Sequence, residues 1–201
     1  MKLLEDIPFN ASPNYTPRAL TAPKMIILHC PVGTMQSAIN TFKNNQNKVS
    51  AHYVVGRDGS VVQMVQLTDV AWHAMHIPNF MSIGIEMQDI YIVGGQLTRG
   101  CLQDPTWYTA ETLKTTSEIV AQLMIKFNIP LDKVIGHNDF QLKQYGNNHR
   151  DPGPYFPWQT FRQLVGLQLK LLSTPVSIPV VVPAPKTKRR RGKSIIPKRR
   201  K

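Results

Sequence analysis

Apolar and polar positions along the chain fall into a few recognisable periods. Residues 25–28 form a continuous apolar run, MIIL, the pattern of a strand buried on both faces, although a buried helical segment shares it. Residues 51–65 place AHYVVG and VVQMVQ on either side of Arg57-Asp58-Gly59-Ser60, and Asp-Gly between β-branched runs predicts a hairpin. In residues 82–87, SIGIEM, apolar positions alternate with small or polar ones; this predicts a central strand in which Gly84 lets a neighbour approach closely. Helical spacing appears three times. A short helix is predicted over 36–45. A long one follows from Leu113, Val120, Leu123, Met124 and Phe127, with Thr109 as N-cap and Pro130 as stop. A last one follows from Trp158, Phe161, Val165, Leu169 and Leu172, with Pro157 in its first turn. Residues 1–24, rich in Pro, Asn and Thr, read as a loop packed over the domain.

These elements predict an α/β fold, a mixed central β-sheet flanked by helices, as a single catalytic domain over residues 1–172. Beyond Ser173 the prolines 175, 179, 183 and 185 interrupt any regular element, so residues 173–201 read as a Pro-rich linker and a disordered polycationic tail. Charge changes the picture only there. The net charge is +12, but residues 186–201, from Lys186 to Lys201, hold ten of the 24 basic residues and no acid, leaving 14 basic against 12 acidic upstream. The folded part is therefore near neutral and offers no footprint for an obligate nucleic-acid partner.

Two cysteines, Cys30 and Cys101, are too few for a disulfide framework; Cys30 is expected to be a small buried residue facing away from its neighbour His29. No apolar segment has the length of a signal peptide or a membrane span. The expected product is a monomer made in the cytoplasm without a leader.

The chemistry concentrates in residues 134–158, VIGHNDFQLKQYGNNHRDPGPYFPW, which offer His137, His149, Asp139 and Asp151 and end in a rigid Asp-Pro-Gly-Pro turn. Imidazole and carboxylate together are the usual ligands of Zn²⁺, and an open catalytic site takes three; His29, ending the first apolar run, is the candidate from elsewhere in the chain. The segment AWHAMHIPNF, with Trp72, His73, His76 and Asn79, is polar and aromatic enough to line a pocket. His52 reads as a structural histidine, His76 as an exposed loop residue and Asp139 as a turn-capping carboxylate.

Six blocks in order, ILHC, SAHYVVGRDGSVVQMV, AWHA, NFMSIGIEM, VIGHNDF and DPGPYFPW, resemble the zinc-dependent N-acetylmuramoyl-L-alanine amidases of the type 2 amidase and peptidoglycan recognition protein superfamily, among them phage endolysins. The resemblance spans about residues 20–170. It implies hydrolysis of the amide between N-acetylmuramic acid and L-alanine in peptidoglycan, for cell lysis or wall turnover. It further implies Zn²⁺ on His29, His137 and Asp151, with Glu86 as general base. It makes Trp72, His73 and Asn79 candidate substrate contacts. Many members carry Lys two residues before the ligand Asp; here that position is His149, which takes over the oxyanion role in this reading. Peptidoglycan or muropeptide is the implied partner, and the tail would add attraction to anionic envelope surfaces such as lipopolysaccharide, teichoic acid or phospholipid. The competing readings are a non-catalytic peptidoglycan receptor of the same fold, which loss of a ligand would mark, and a nucleic-acid-associated protein acting through the tail.

Overall fold

A computed structural model describes residues 3–18, 22–31, 33–93, 96–102 and 104–174; the expected linker and tail beyond 174 lie outside the described residues. In chain order the elements are β1 (Tyr15–Pro17), β2 (Met25–His29), α1 (Met35–Lys43), β3 (Tyr53–Val55), β4 (Val61–Gln63), β5 (Asp69–Ala71), α2 (His76–Met81), β6 (Ser82–Met87), β7 (Ile90–Val93), β8 (Gln96–Arg99), α3 (Ala110–Phe127), β9 (Val134–Gly136) and α4 (Trp158–Ser173). The five-stranded sheet runs β4-β3-β6-β2-β9. Its β3, β6, β2 and β9 are mutually parallel, and β4 joins as the antiparallel arm of a hairpin. The mixed sheet with helical layers is therefore as expected. No helix among the described residues is long and apolar enough to cross a membrane.

Local chemistry explains most of the elements. Thr109 caps α3 by accepting the amide of Thr112, and Asn128 closes it in the left-handed conformation at φ 52°. Thr34 caps α1 in the same way through Ser37. β2 is buried along its whole length, as a central parallel strand covered on both faces must be.

Side chains alternate across the strands. Ile26 and Leu28 of β2, Ile83, Ile85 and Met87 of β6 and Val134 of β9 point to one face, where they pack with Leu113, Ile119, Val120 and Leu123 of α3 and Phe161 and Val165 of α4. On the other face Val54 packs with Ala38, Ile39 and Phe42 of α1, and Ile27 packs with Ala74, Ile135 and Leu142.

Residues 1–24 are more than a covering loop. β1 pairs antiparallel with β5, Phe9 bridges Gln63, and buried Asn14 donates its side-chain amide to the carbonyls of Asn44 (3.0 Å) and Val49 (2.9 Å). The β7–β8 hairpin, with Val93 opposite Gln96, and α2 also go beyond the sequence pattern. Pro78 inside α2 argues against a helix by pattern, yet it occupies the third helical position, where an amide has no intrahelical acceptor to lose.

Candidate active site

Register assembles the site. β2 and β6 pair His29 directly with Glu86, and β9 pairs Gly136 with Leu28. His137 then follows one residue past the strand, with its amide on the Leu28 carbonyl at 3.1 Å. All three lie at the carboxyl ends of parallel strands, where open α/β sheets collect their ligands. They share the parity of Ile27, Ser82, Gly84 and Ile135, and so face away from α3 and α4. Asp151 arrives from the turn beyond, pinned by the Asn138 amide on its carbonyl at 2.8 Å. Gly153, at φ 94°, is required there: a Cβ would lie 2.1 Å from the carbonyl oxygen of Cys101.

Nδ1 of His29 lies 3.2 Å and Nδ1 of His137 3.4 Å from the same oxygen, Oδ2 of Asp151, and the three donor atoms are all within 4.8 Å of one another. Ligand bonds of about 2.1 Å in a tetrahedron place donors about 3.4 Å apart, so the spacing of this His₂-carboxylate set fits a zinc ion. Burial lowers the His29 pKa to about 4, against the opposing hydrogen bond to Asp151, which keeps the imidazole neutral as a ligand must be. Burial alone would raise Asp151, but the adjacent imidazoles of His137 and His29 outweigh it and hold the carboxyl well below the usual range.

A cleft of about 430 Å³ opens over this set, with His29, Glu86, His137 and Asp151 at its floor. Glu86 is 9% exposed, and its Oε2 is buried with no hydrogen-bond partner among the described residues. Burial, then the charge of Asp151, pushes its pKa well above that of an ordinary carboxyl. His149 is half exposed and stacks on His137 at 3.9 Å between centroids and 16°; its Nδ1 is 3.7 Å from Asp151 Oδ1. Burial and His137 lower its pKa, and Asp151 opposes them.

Trp72 and His73 both line the cleft. Trp72 is fixed by its indole N–H on Thr16 Oγ1 at 2.9 Å. Both ring nitrogens of His73 are engaged, Nδ1 with His29 Nε2 at 2.9 Å and Nε2 with Ser82 Oγ at 3.2 Å, and burial, then the neighbouring His29 and His52, lowers its pKa well below the usual value. Asn79 is not brought to this cleft: it is buried, with Oδ1 accepting the amides of His73 (2.9 Å) and Ala74 (2.6 Å).

The structural readings of the other candidates agree with the fold. His52 accepts the Gly84 amide at Nδ1 and contacts the Asp69 carbonyl at Nε2. His76 is exposed, though on α2 and not in a loop. Asp139 caps a short 3₁₀ turn by accepting the Gln141 amide at 2.8 Å. Cys30 is buried with Cys101 and Trp107, next to Asp89, whose Oδ1 accepts the amides of Gly100 and Cys101.

Sequence reasoning passed over one wall of the cleft, formed by Thr41 and Phe42 of α1 with Val49 and Ser50. A helical period separates buried from exposed positions, and nothing in it separates a core face from a cleft wall. Arg150, exposed at the rim, stood between two residues that were singled out.

Residues 19–154 match the family described as N-acetylmuramoyl-L-alanine amidase. The chain is 28% identical over 171 residues to N-acetylmuramoyl-L-alanine amidase A of Achromobacter lyticus, spanning 77% of this chain and 89% of that one. It is 32% identical over 117 residues to the 1,6-anhydro-N-acetylmuramyl-L-alanine amidase AmpD of Haemophilus influenzae, spanning 58% of each chain. Among solved structures, the fold is shared with Staphylococcus aureus hydrolase AmiA in complex with its ligand, at a TM-score of 0.64 and 17% identity over 83% of this chain and 84% of that one. It is shared as well with E. coli AmiD in complex with anhydro-N-acetylmuramic acid-L-Ala-D-gamma-Glu-L-Lys, at 0.56 and 23% over 73% and 58%. With a family match over more than half its length, and the His29, Glu86, His137 and Asp151 constellation at the strand ends, this chain belongs to the type 2 N-acetylmuramoyl-L-alanine amidases.

Proposed function

We propose that this amidase hydrolyses the amide joining the lactyl group of N-acetylmuramic acid to L-alanine, using a zinc ion held by His29, His137 and Asp151. The observation that supports it most is the convergence of two imidazole nitrogens on one carboxylate oxygen, beneath a cleft that also holds the buried carboxyl of Glu86, whose Oε2 has no hydrogen-bond partner among the described residues. Zinc bound there would supply Lewis acidity, which makes water a nucleophile near neutral pH and polarises the scissile carbonyl.

This chain's residues do the rest. Glu86 takes the proton from the attacking water and returns it to the departing amine of L-alanine; a raised pKa suits a group that must do both. His149, held over His137 at the open edge of the site, donates a hydrogen bond to the oxyanion. Trp72 and His73 form the wall against which the muropeptide lies, and Asn79 acts on that wall through the backbone of residues 73–74. The substrate of the AmiD complex, a muramyl peptide, has the chemistry this cleft would take. Residues 186–201 serve as an electrostatic tether to anionic envelope surfaces, supporting lysis or turnover of the wall.

The test is incubation of the purified chain with defined muropeptides, with and without chelator, and identification of products by mass. Free peptide stem and lactyl-bearing sugar should appear only in the chelator-free sample, with one zinc per chain by elemental analysis. Full zinc content in His29→Ala or Asp151→Ala would overturn the ligand set. For the tether, removal of residues 175–201 should weaken binding to anionic envelopes at low salt and leave hydrolysis of soluble muropeptide unchanged.

A further inference from the structure

The carbonyl of Pro78 lies in α2, whose closing amide, the N–H of Ser82, turns to the Asn79 carbonyl. The hydrogen bonds leading from the Pro78 carbonyl direct three protons in sequence. Ser82 Oγ is 2.6 Å from that carbonyl, which only accepts, so the hydroxyl hydrogen is committed there. The same Oγ is 3.2 Å from Nε2 of His73 and meets it as an acceptor; Nε2 therefore carries the ring hydrogen, and Nδ1 of the neutral ring carries a lone pair. Nδ1 of His73 is 2.9 Å from Nε2 of His29, so His29 bears its hydrogen on Nε2. What remains is the lone pair on His29 Nδ1, aimed at the point it shares with His137 Nδ1 and Asp151 Oδ2.

The opposite assignment fails at one place. With its hydrogen on Nδ1, His29 would satisfy Asp151 in the absence of metal. His73 would then have to donate from Nδ1 and turn a bare Nε2 toward a hydroxyl oxygen whose hydrogen is already on Pro78. Two lone pairs would face each other in a buried site.

We infer that His73, itself oriented by Ser82 and the end of α2, is a positioning residue that sets the tautomer and ring orientation of the ligand His29. This rests on the zinc reading of the site given above and adds to it a residue that touches neither metal nor scissile bond. The fold makes room for the relay. Gly84 in β6 leaves space for the imidazole, since a Cβ there would lie 2.5 Å from the His73 ring. Asn79 holds the backbone from which the ring projects. A second hydrogen bond on the far nitrogen of a ligand histidine raises its basicity and locks its orientation, and losing such a partner typically weakens metal affinity about 10- to 100-fold.

The direct test is ¹⁵N NMR of histidine-labelled, zinc-loaded full chain. His73 should be protonated on Nε2 and bare on Nδ1, and His29 should be protonated on Nε2; a proton on His73 Nδ1 overturns the assignment. Zinc affinity by chelator competition supplies a second readout. Ser82→Ala and His73→Ala should bind zinc about 10- to 100-fold more weakly, whereas His73→Asn, whose Oδ1 stands where Nδ1 accepts, should recover most of the loss. Parental affinity in Ser82→Ala, or no recovery in His73→Asn relative to His73→Ala, would count against the relay. If His73→Ala does not fold, Ser82→Ala and the parent's tautomers still decide. Those tautomers are read whether or not the chain turns over a muropeptide, so failure of the amidase reading and failure of this one are separate results.

Discussion

The two faces of β6 present opposite chemistry from consecutive residues. Toward α3 and α4 the strand offers Ile83, Ile85 and Met87, all fully buried among aliphatic and aromatic side chains. Toward the cleft it offers Ser82, Gly84 and Glu86: a hydroxyl hydrogen-bonded to His73, a gap that admits an imidazole, and a carboxyl with one oxygen unpaired among the described residues. β2 divides in the same way between Leu28 and His29. The first face removes apolar area from water and contributes stability; the second carries buried polar groups that cost stability. The strand tolerates the second face because the first holds its backbone, and the backbone register sets which atoms meet at the site.

The largest expected effect lies on the cleft face. Glu86→Gln keeps the shape of the side chain and removes the proton acceptor, so kcat should fall about 10²- to 10⁴-fold, with zinc content and melting temperature at or above those of the parent. Activity within a few-fold of the parent would assign the proton transfers to another group.

One residue earlier the expectation reverses. Ile85→Ala opens a cavity against α3 and α4 and should cost about 2–5 kcal/mol in denaturant unfolding, while the folded fraction binds zinc as the parent does. Zinc affinity lost in proportion to stability would show that the two faces are not separable.

Gly84→Ala tests the boundary between them. Its methyl would meet the His73 ring at 2.5 Å, so the ring must shift, at about 1–3 kcal/mol for such overpacking and with weakened zinc binding. An unchanged zinc affinity would mean that the ring accommodates the methyl without disturbing His29.

The smallest effect is a slope with pH. His52, beneath the same strand, has its pKa lowered from 6.5 to about 3 by burial, with Arg18 adding to it and the Asp69 carbonyl opposing. Between those values the unfolded chain binds a proton that the folded chain does not. Stability from this group is therefore complete above pH 6.5 and declines as pH falls, by at most about 1.4 kcal/mol per unit until about pH 3. Urea unfolding of the parent and His52→Gln at pH 7, 6 and 5 isolates the term: the variant should show the shallower slope, and equal slopes would place the pH sensitivity elsewhere.

Much of the frame was legible because its causes are local. The alternation in SIGIEM predicted the strand. Asp58-Gly59 predicted the turn between β3 and β4, and Thr109 predicted the start of α3. The Gly-Gly between the runs of β7 and β8 is a hairpin signal of the same kind, present in the sequence. Other features depend on partners far along the chain. β1, three residues with a proline, has no period of its own and is a strand only because β5 pairs with it. Trp72 is held by Thr16 across 56 positions.

The site divides along the same line. Residue types and block order alone determined a central strand ending in His29, a carboxyl at Glu86, and a histidine and an aspartate flanking a rigid turn, because short-range alternation and turn chemistry need no tertiary information. Only the folded chain decided that the two Nδ1 atoms meet one oxygen of Asp151, that His149 lies flat on His137, that Asn79 serves the backbone, and that His73 faces His29. Those are distances of a few ångströms between groups separated by up to 122 positions, and they follow from parallel register across β6, β2 and β9, which no local pattern encodes.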